Sequence, residues 1–188
     1  RCWEALYGEG LLIMLPDTYG SEQFFNNMPK DLAKHTAHQW RGQRQDSGEP
    51  VEECNKFIEW LKSMGVSSEN ISNNKINIFS DGLDEEEMIK YNHEFSKKII
   101  TTNGWGTNFT NDFNNCHPNG GEQIPGLSVT WDQVFRNFSV VVKVVEADGH
   151  PAVKLTNNIN KASGSDEDIA DYIRIFGNTR RGKQVVEV

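Results

Sequence analysis

Positive charge is what this chain lacks. Its 19 Lys and Arg residues stand against 27 Asp and Glu, a formal net charge of -8. Without a global basic field nothing neutralises a phosphate backbone, so a nucleic-acid partner is excluded, although local basic patches for small phosphorylated ligands are not. Cysteine is also scarce. Cys2, Cys54 and Cys116 are odd in number and scattered, with no C-x-x-C spacing for zinc or redox work. A reducing, cytoplasmic location is the simplest expectation. No apolar run approaches the roughly 18 residues of a membrane span, and no charged-then-apolar leader is evident, so no membrane partner is expected. Three Asn-x-Ser/Thr triplets, at Asn70, Asn108 and Asn137, read as chance products of an Asn-rich chain. An initiating Met is missing too. Arg1 opens a segment that reads as a helix already under way, with Trp3, Leu6 and Tyr7 on one face. The expectation is therefore a piece of a longer polypeptide whose N-terminal part is absent.

What is present is 188 residues, 36% apolar and 24% charged, enough for a substantial core. The first two thirds repeat a unit of strand, polar loop and helix. Residues 11–15 form a buried-strand run ending in Pro16-Asp17-Thr18-Tyr19-Gly20, and Phe24, Phe25 and Met28 suggest a short helix. A weak strand follows Trp40. Pro50, Glu52 and Glu53 then open a helix whose stripe is Val51, Cys54, Phe57, Ile58, Leu61 and Met64, stopping at Gly65. Residues 76–79 are the next strand, followed by a helix that starts at Glu85-Glu86-Glu87 and by a β-type run over 99–102. Parallel neighbours need crossover helices, so the fold class is α/β with a parallel sheet or barrel, and ligands belong at the C-terminal strand ends.

From Phe113 to about Asn137 the pattern lapses into a long loop, with one possible helical turn over 131–138. A strand over 138–146, a turn at Asp148-Gly149 and a return over 151–155 form a hairpin. A last helix starts near Ser165 and Asp168, has Ile169, Tyr172, Ile173 and Phe176 as its apolar face, and is capped at Gly177. The change of pattern places a boundary near residue 130, dividing the chain into 1–130 and 131–188. The tail is expected to belong to another layer and to pair with nothing earlier in the chain.

Three strand-end loops carry candidate chemistry. Asp46-Ser47-Gly48 after Arg44, Ser80-Asp81-Gly82, and Gly104-Trp105-Gly106-Thr107 each offer small residues whose backbone N–H groups can approach an anion. Two add a carboxylate able to accept ribose hydroxyls. Each alone is also an ordinary turn sequence, but three at equivalent positions point to a phosphorylated sugar.

Residues 44–50 (RQDSGEP), 79–84 (FSDGLD), 104–108 (GWGTN) and 143–155 (KVVEADGHPAVKL) resemble, in order and spacing, the C-terminal half of the nicotinate phosphoribosyltransferase family. The resemblance runs from about Trp3 to Phe176, and the GWGTN form favours the nicotinate members over nicotinamide phosphoribosyltransferase. It implies an irregular α/β, TIM-like barrel plus a second domain to which the C-terminal β-hairpin and helix belong. The implied reaction joins nicotinate to phosphoribosyl pyrophosphate, giving nicotinate mononucleotide and pyrophosphate in NAD biosynthesis. ATP is implied as cosubstrate through a phosphohistidine, Mg²⁺ as an ion bound mainly through substrate phosphates, and a homodimer as the assembly.

Carried over, the resemblance places Arg44 beside the pyridine ring or ribose, and Asp46 and Asp81 on ribose hydroxyls. Ser47, Gly48, Ser80 and Gly82 shape those loops. Gly104, Gly106 and Thr107 cradle the 5′-phosphate. Lys143, Lys154 and Lys161 approach phosphates, and Asp17 orients the catalytic histidine or a ligand. Lys143 sits in an apolar strand, where a buried ammonium would need an anion or Glu146. His35, His38 and His93 read as surface or packing residues, so the phosphohistidine is expected upstream of Arg1 and the 188 residues alone are expected to turn over little. A non-catalytic nucleotide-binding module remains the reading from a different class.

Overall fold

The computed structural model describes residues 2–110, 115–135, 140 and 142–176. Helix α1 (Cys2–Tyr7) leads through a short 3-10 turn to strand β1 (Ile13–Met14), then α2 (Ser21–Asn27) and α3 (Lys30–Gln39). Strand β2 (Gly42–Gln45), α4 (Pro50–Ser63), α5 (Ser68–Asn74), β3 (Ile76–Phe79), α6 (Glu85–Phe95) and β4 (Ile100–Asn103) follow. Beyond them lie α7 (Thr107–Thr110), α8 (Trp131–Val134), the hairpin β5 (Glu146–Ala147) and β6 (His150–Pro151), and α9 (Asp166–Phe176).

The four strands β1 to β4 pair in sequence order and all run parallel, with Gly42 opposite both Ile13 and Ile76, and Phe79 between Gln45 and Asn103. Each crossover is helical, as parallel pairing requires. Among the described residues the sheet is open, with β1 and β4 at its edges; the expected TIM-like closure is not formed by these four strands. Phe57, Leu61, Phe79, Tyr91 and Phe95 centre the core between sheet and helices. Side chains of this kind contribute about 1.5–3 kcal/mol each when fully buried.

Strand β2 has no apolar side chain, which explains its weak sequence signal. Gln43 and Gln45 are nevertheless buried, because Gln43 Nε2 donates to Asn77 Oδ1 (2.9 Å), Asn77 Nδ2 donates to Gln45 Oε1 (3.2 Å) and Gln45 Nε2 donates to the Pro50 carbonyl (3.2 Å). Buried amides are tolerated when bonded in this way, although Gln43 Oε1 keeps no partner among the described residues. Helix α6 begins with a full capping box between Asp84 and Glu87. Helix α5, capped by Ser67, lies in an Asn-rich stretch that carries no apolar periodicity.

Two expectations about the tail are corrected. The hairpin forms with Asp148 and Gly149 at φ 52° and 75°, as a two-residue turn with two positive φ values requires. Its first strand is much shorter than the 138–146 expected: residues 142–145 are exposed and outside any strand, and 136–139 and 141 lie outside the described residues. The tail also pairs with earlier chain. Leu155 N–H donates to the Thr18 carbonyl (2.8 Å), and the Phe176 ring of α9 stacks on Tyr19 with centroids 4.3 Å apart. The buried Val153 and Leu155 supply the apolar reason for this docking. The Gly177 cap lies outside the described residues.

Candidate functional site

Parallel pairing brings the C-terminal ends of β1, β2 and β3 to one side of the sheet, and each end is followed within a few residues by an aspartate: Asp17, Asp46 and Asp81. Each faces a cation. Arg44 Nη2 donates to Asp46 Oδ1 (2.8 Å), while its Nε donates to Ser80 Oγ (2.9 Å), so one guanidinium spans two loops. Lys154 Nζ lies 2.9 Å from Asp17 Oδ2 and 3.4 Å from Asp46 Oδ2. Lys161 Nζ pairs with Asp81 Oδ1, and the Lys161 carbonyl accepts a hydrogen bond from Lys143 Nζ (2.7 Å).

Three carboxylates and three nearby cations thus alternate around the strand ends, and two of those cations come from the tail. Asp17 is the most buried, at 2% exposure, and its Oδ1 has no hydrogen-bond partner among the described residues. Burial works against the Lys154 ammonium, but Asp17 and then Asp46 outweigh it and raise its pKa above the usual lysine value.

The loops show why small residues stand in them. Gly48 has φ 88°, in the left-handed region, and a Cβ there would come 2.8 Å from Glu53 Cγ and 3.3 Å from Asn157 Nδ2. Gly104 packs against Ser80, whose Cβ would lie 3.0 Å from an added Cβ. Gly106, by contrast, faces open space. Asn108 Nδ2 donates to the carbonyls of Leu83 (3.0 Å) and Gly82 (3.4 Å), tying the loop after β4 to the loop after β3. Ser80 Oγ donates to the Gln45 carbonyl (3.0 Å).

Sequence reasoning therefore named residues that the fold brings together: Asp17, Arg44, Asp46, Ser80, Asp81, Lys154 and Lys161. Ser47 is 1% exposed, and its hydroxyl accepts the Asn157 N–H (3.2 Å). The side chain of Thr107 lies outside what the structure describes. Lys143 is exposed, not buried in a strand; its link to the site is the Lys161 carbonyl. Asn157, with Ser21 and Glu53, joins the loops after β1 and β2, and no sequence signal distinguished it from its Asn-rich surroundings.

The histidines have other partners. His35 Nε2 meets both carboxylate oxygens of Glu4 (2.8 and 2.9 Å), His38 Nε2 meets the Met64 carbonyl (3.1 Å), and His117 stacks on Trp131. At the opposite end of the sheet Lys75 is buried, and its ammonium donates to the carbonyls of His38 (2.9 Å) and Trp40 (2.6 Å). Burial, reinforced by Arg41, lowers its pKa to about 8. Burial pushes the Cys54 thiol up to about 12. Among the described residues no helix is long and apolar enough to cross a membrane.

Residues 1–179 match the model of the nicotinate phosphoribosyltransferase (NAPRTase) family. Solved structures agree. The nicotinate phosphoribosyltransferase from Vibrio cholerae is 28% identical with a TM-score of 0.74, over 93% of this chain and 37% of that one. The nicotinate phosphoribosyltransferase from Porphyromonas gingivalis is 26% identical with a TM-score of 0.71, over 94% of this chain and 40% of that one. The chain therefore spans well under half the length of either relative.

Proposed function

The chain belongs to the nicotinate phosphoribosyltransferase family, and from that premise we propose that its strand-end site holds the phosphoribosyl group of phosphoribosyl pyrophosphate while nicotinate displaces pyrophosphate. The product is nicotinate mononucleotide, a step of NAD biosynthesis, with ATP hydrolysis coupled to it. The observation that carries the proposal is the alternation of Asp17, Asp46 and Asp81 with Arg44, Lys154 and Lys161 at successive parallel strand ends.

Displacement at C1 of the sugar forms a C–N bond to the pyridine nitrogen and breaks the C–O bond to pyrophosphate, through a state with cationic character on the ribose. Such a step is accelerated by fixing the ribose and by offsetting charge on the leaving group. Asp46 and Asp81 accept the ribose hydroxyls, Arg44 spans the loops beside the ring, and Lys154 and Lys161 turn from carboxylates to phosphate oxygens when the ligand arrives. Gly104, Gly106 and the start of α7 approach the 5′-phosphate.

The three carboxylates face cations, not one another, and among the described residues no group of three acidic, His or Cys side chains converges as a metal cage. They fit a Mg²⁺ that is carried mainly by phosphate oxygens and water, which would supply charge neutralisation to the leaving pyrophosphate. Assembly as a cytoplasmic homodimer belongs to the same proposal.

Calorimetry with phosphoribosyl pyrophosphate tests it. The parent chain should bind, and Asp46→Ala and Asp81→Ala should each weaken binding; equal heats from all three would refute the site. Offering nicotinate and nicotinamide in turn to the complete enzyme then separates the two base specificities.

A further inference from the structure

The tail reaches the strand ends through a short segment in which one side-chain amide makes three of the docking hydrogen bonds. Asn157 Oδ1 accepts the Ser21 N–H (2.7 Å), and its Nδ2 donates to Ser21 Oγ (2.7 Å) and to Glu53 Oε2 (3.3 Å). Its backbone N–H donates to Ser47 Oγ (3.2 Å). One residue thus joins the start of α2, the side of α4 and the loop that carries Asp46. Two glycines make room for it. An added Cβ on Gly20 would stand 3.3 Å from Asn157 Oδ1, and one on Gly48 would stand 3.3 Å from its Nδ2; both glycines have positive φ, 94° and 88°.

The segment is held both locally and from outside. Thr156, next to Asn157, is a β-branched residue at φ 59°, a conformation that persists only when contacts impose it; its hydroxyl donates to the Asn158 carbonyl (2.6 Å) and accepts the Asn158 N–H (2.9 Å), and its own N–H donates to the Thr18 carbonyl (3.4 Å). Lys154 lies three residues before Asn157, and between them Leu155 is buried and bonded to the Thr18 carbonyl. The Lys154 ammonium therefore has its place between Asp17 and Asp46 because the segment is pinned on both sides.

We propose that Asn157 is a positioning residue that pins the tail to the loops after β1 and β2 and so sets Lys154 Nζ between the Asp17 and Asp46 carboxylates. That the ligand sensing this placement is a phosphoribosyl group rests on the function proposed above; the placement itself does not.

Two readouts test it separately. In Asn157→Ala the titration of the Lys154 ammonium, followed by NMR at its Cε, should move down toward the ordinary lysine value. Affinity for phosphoribosyl pyrophosphate should fall about tenfold, and in a Lys154→Met background Asn157→Ala should cost nothing further, the signature of a shared interaction. Asn157→Asp sets a carboxylate against Glu53 and should weaken binding, whereas Asn157→Asp combined with Glu53→Gln restores a donor and acceptor pair and should recover it. That rescue keeps the test open if Asn157→Ala does not fold. An unchanged Lys154 titration in Asn157→Ala, or no recovery in the double variant, would overturn the positioning role. A parent chain that gives no heat with phosphoribosyl pyrophosphate would overturn the proposed function, and the titration would still decide the role of Asn157.

Discussion

Replacing Lys154 by Met keeps most of the alkyl stem and removes only the ammonium. What it leaves behind decides the cost. Asp17, 2% exposed, loses the cation 2.9 Å from its Oδ2, and its Oδ1 already lacks a partner among the described residues. Removing one member of a buried ion pair costs about 3–5 kcal/mol, because the remaining charge stays desolvated and unpaired. Lys154 is one-third exposed and Asp46, its second partner, is about one-quarter exposed, so water recovers part of that loss. The expected destabilisation is about 2–3 kcal/mol at pH 7, equivalent to a Tm lower by roughly 5–10 °C for a chain of this size.

Urea unfolding of the parent and Lys154→Met chains at pH 7 would measure it. Adding Asp17→Asn to Lys154→Met should recover much of the loss, because the amide leaves no stranded charge. In the parent, the raised Lys154 pKa has its consequence at high pH: the contribution of Lys154 is complete below the unfolded lysine value of about 10.5 and is lost as pH rises through the higher folded value. A cost below about 0.5 kcal/mol would refute the argument, since it would place Lys154 in the class of exposed pairs that contribute little.

Three other outcomes are expected. Gly42→Ala should destabilise by about 3 kcal/mol or more in denaturant unfolding, because its Cβ would overlap the Ile76 carbonyl in the β2 and β3 ladder, where backbone cannot yield cheaply. Lys75 has a folded pKa of about 8, below its unfolded value of 10.5, so the native state binds fewer protons between those limits and stability should rise across them. The gain is about 1–3 kcal/mol once its two carbonyl hydrogen bonds are set against burial, and it should be absent in Lys75→Met. Thiol reagents at pH 8 should label the exposed Cys2 and Cys116 rapidly and Cys54 only on unfolding, since Cys54 is buried with a pKa pushed up to about 12; rapid labelling of three thiols in the native chain would contradict the core packing.

The helices α4 and α6 and the strand β3 were legible in the sequence because apolar periodicity, an N-terminal Pro or acidic run, and a β-branched run coincide there. Strand β2 was nearly illegible: its buried face is made of glutamines whose amides bond to Asn77, more than thirty residues away in the chain, and to the carbonyl of Pro50 at the start of α4. The fourth strand shows the same limit in milder form, starting one residue later than its β-type run. Lys143 illustrates the converse error. An apolar neighbourhood suggested a buried strand, but among the described residues 142–145 lie in no strand, and Val142, Val144 and Val145 are exposed.

The amino-acid sequence by itself determined the parallel α/β order, the strand-end aspartates and the family motifs, because these depend on residue type, spacing and local periodicity. The tertiary structure alone decided which charges meet. Lys154 and Lys161 are 108 and 80 residues from Asp46 and Asp81, and no local signal ties them together. Their pairing follows from the docking of Val153 and Leu155 and from the Asn157 amide, which need a surface assembled from distant parts of the chain.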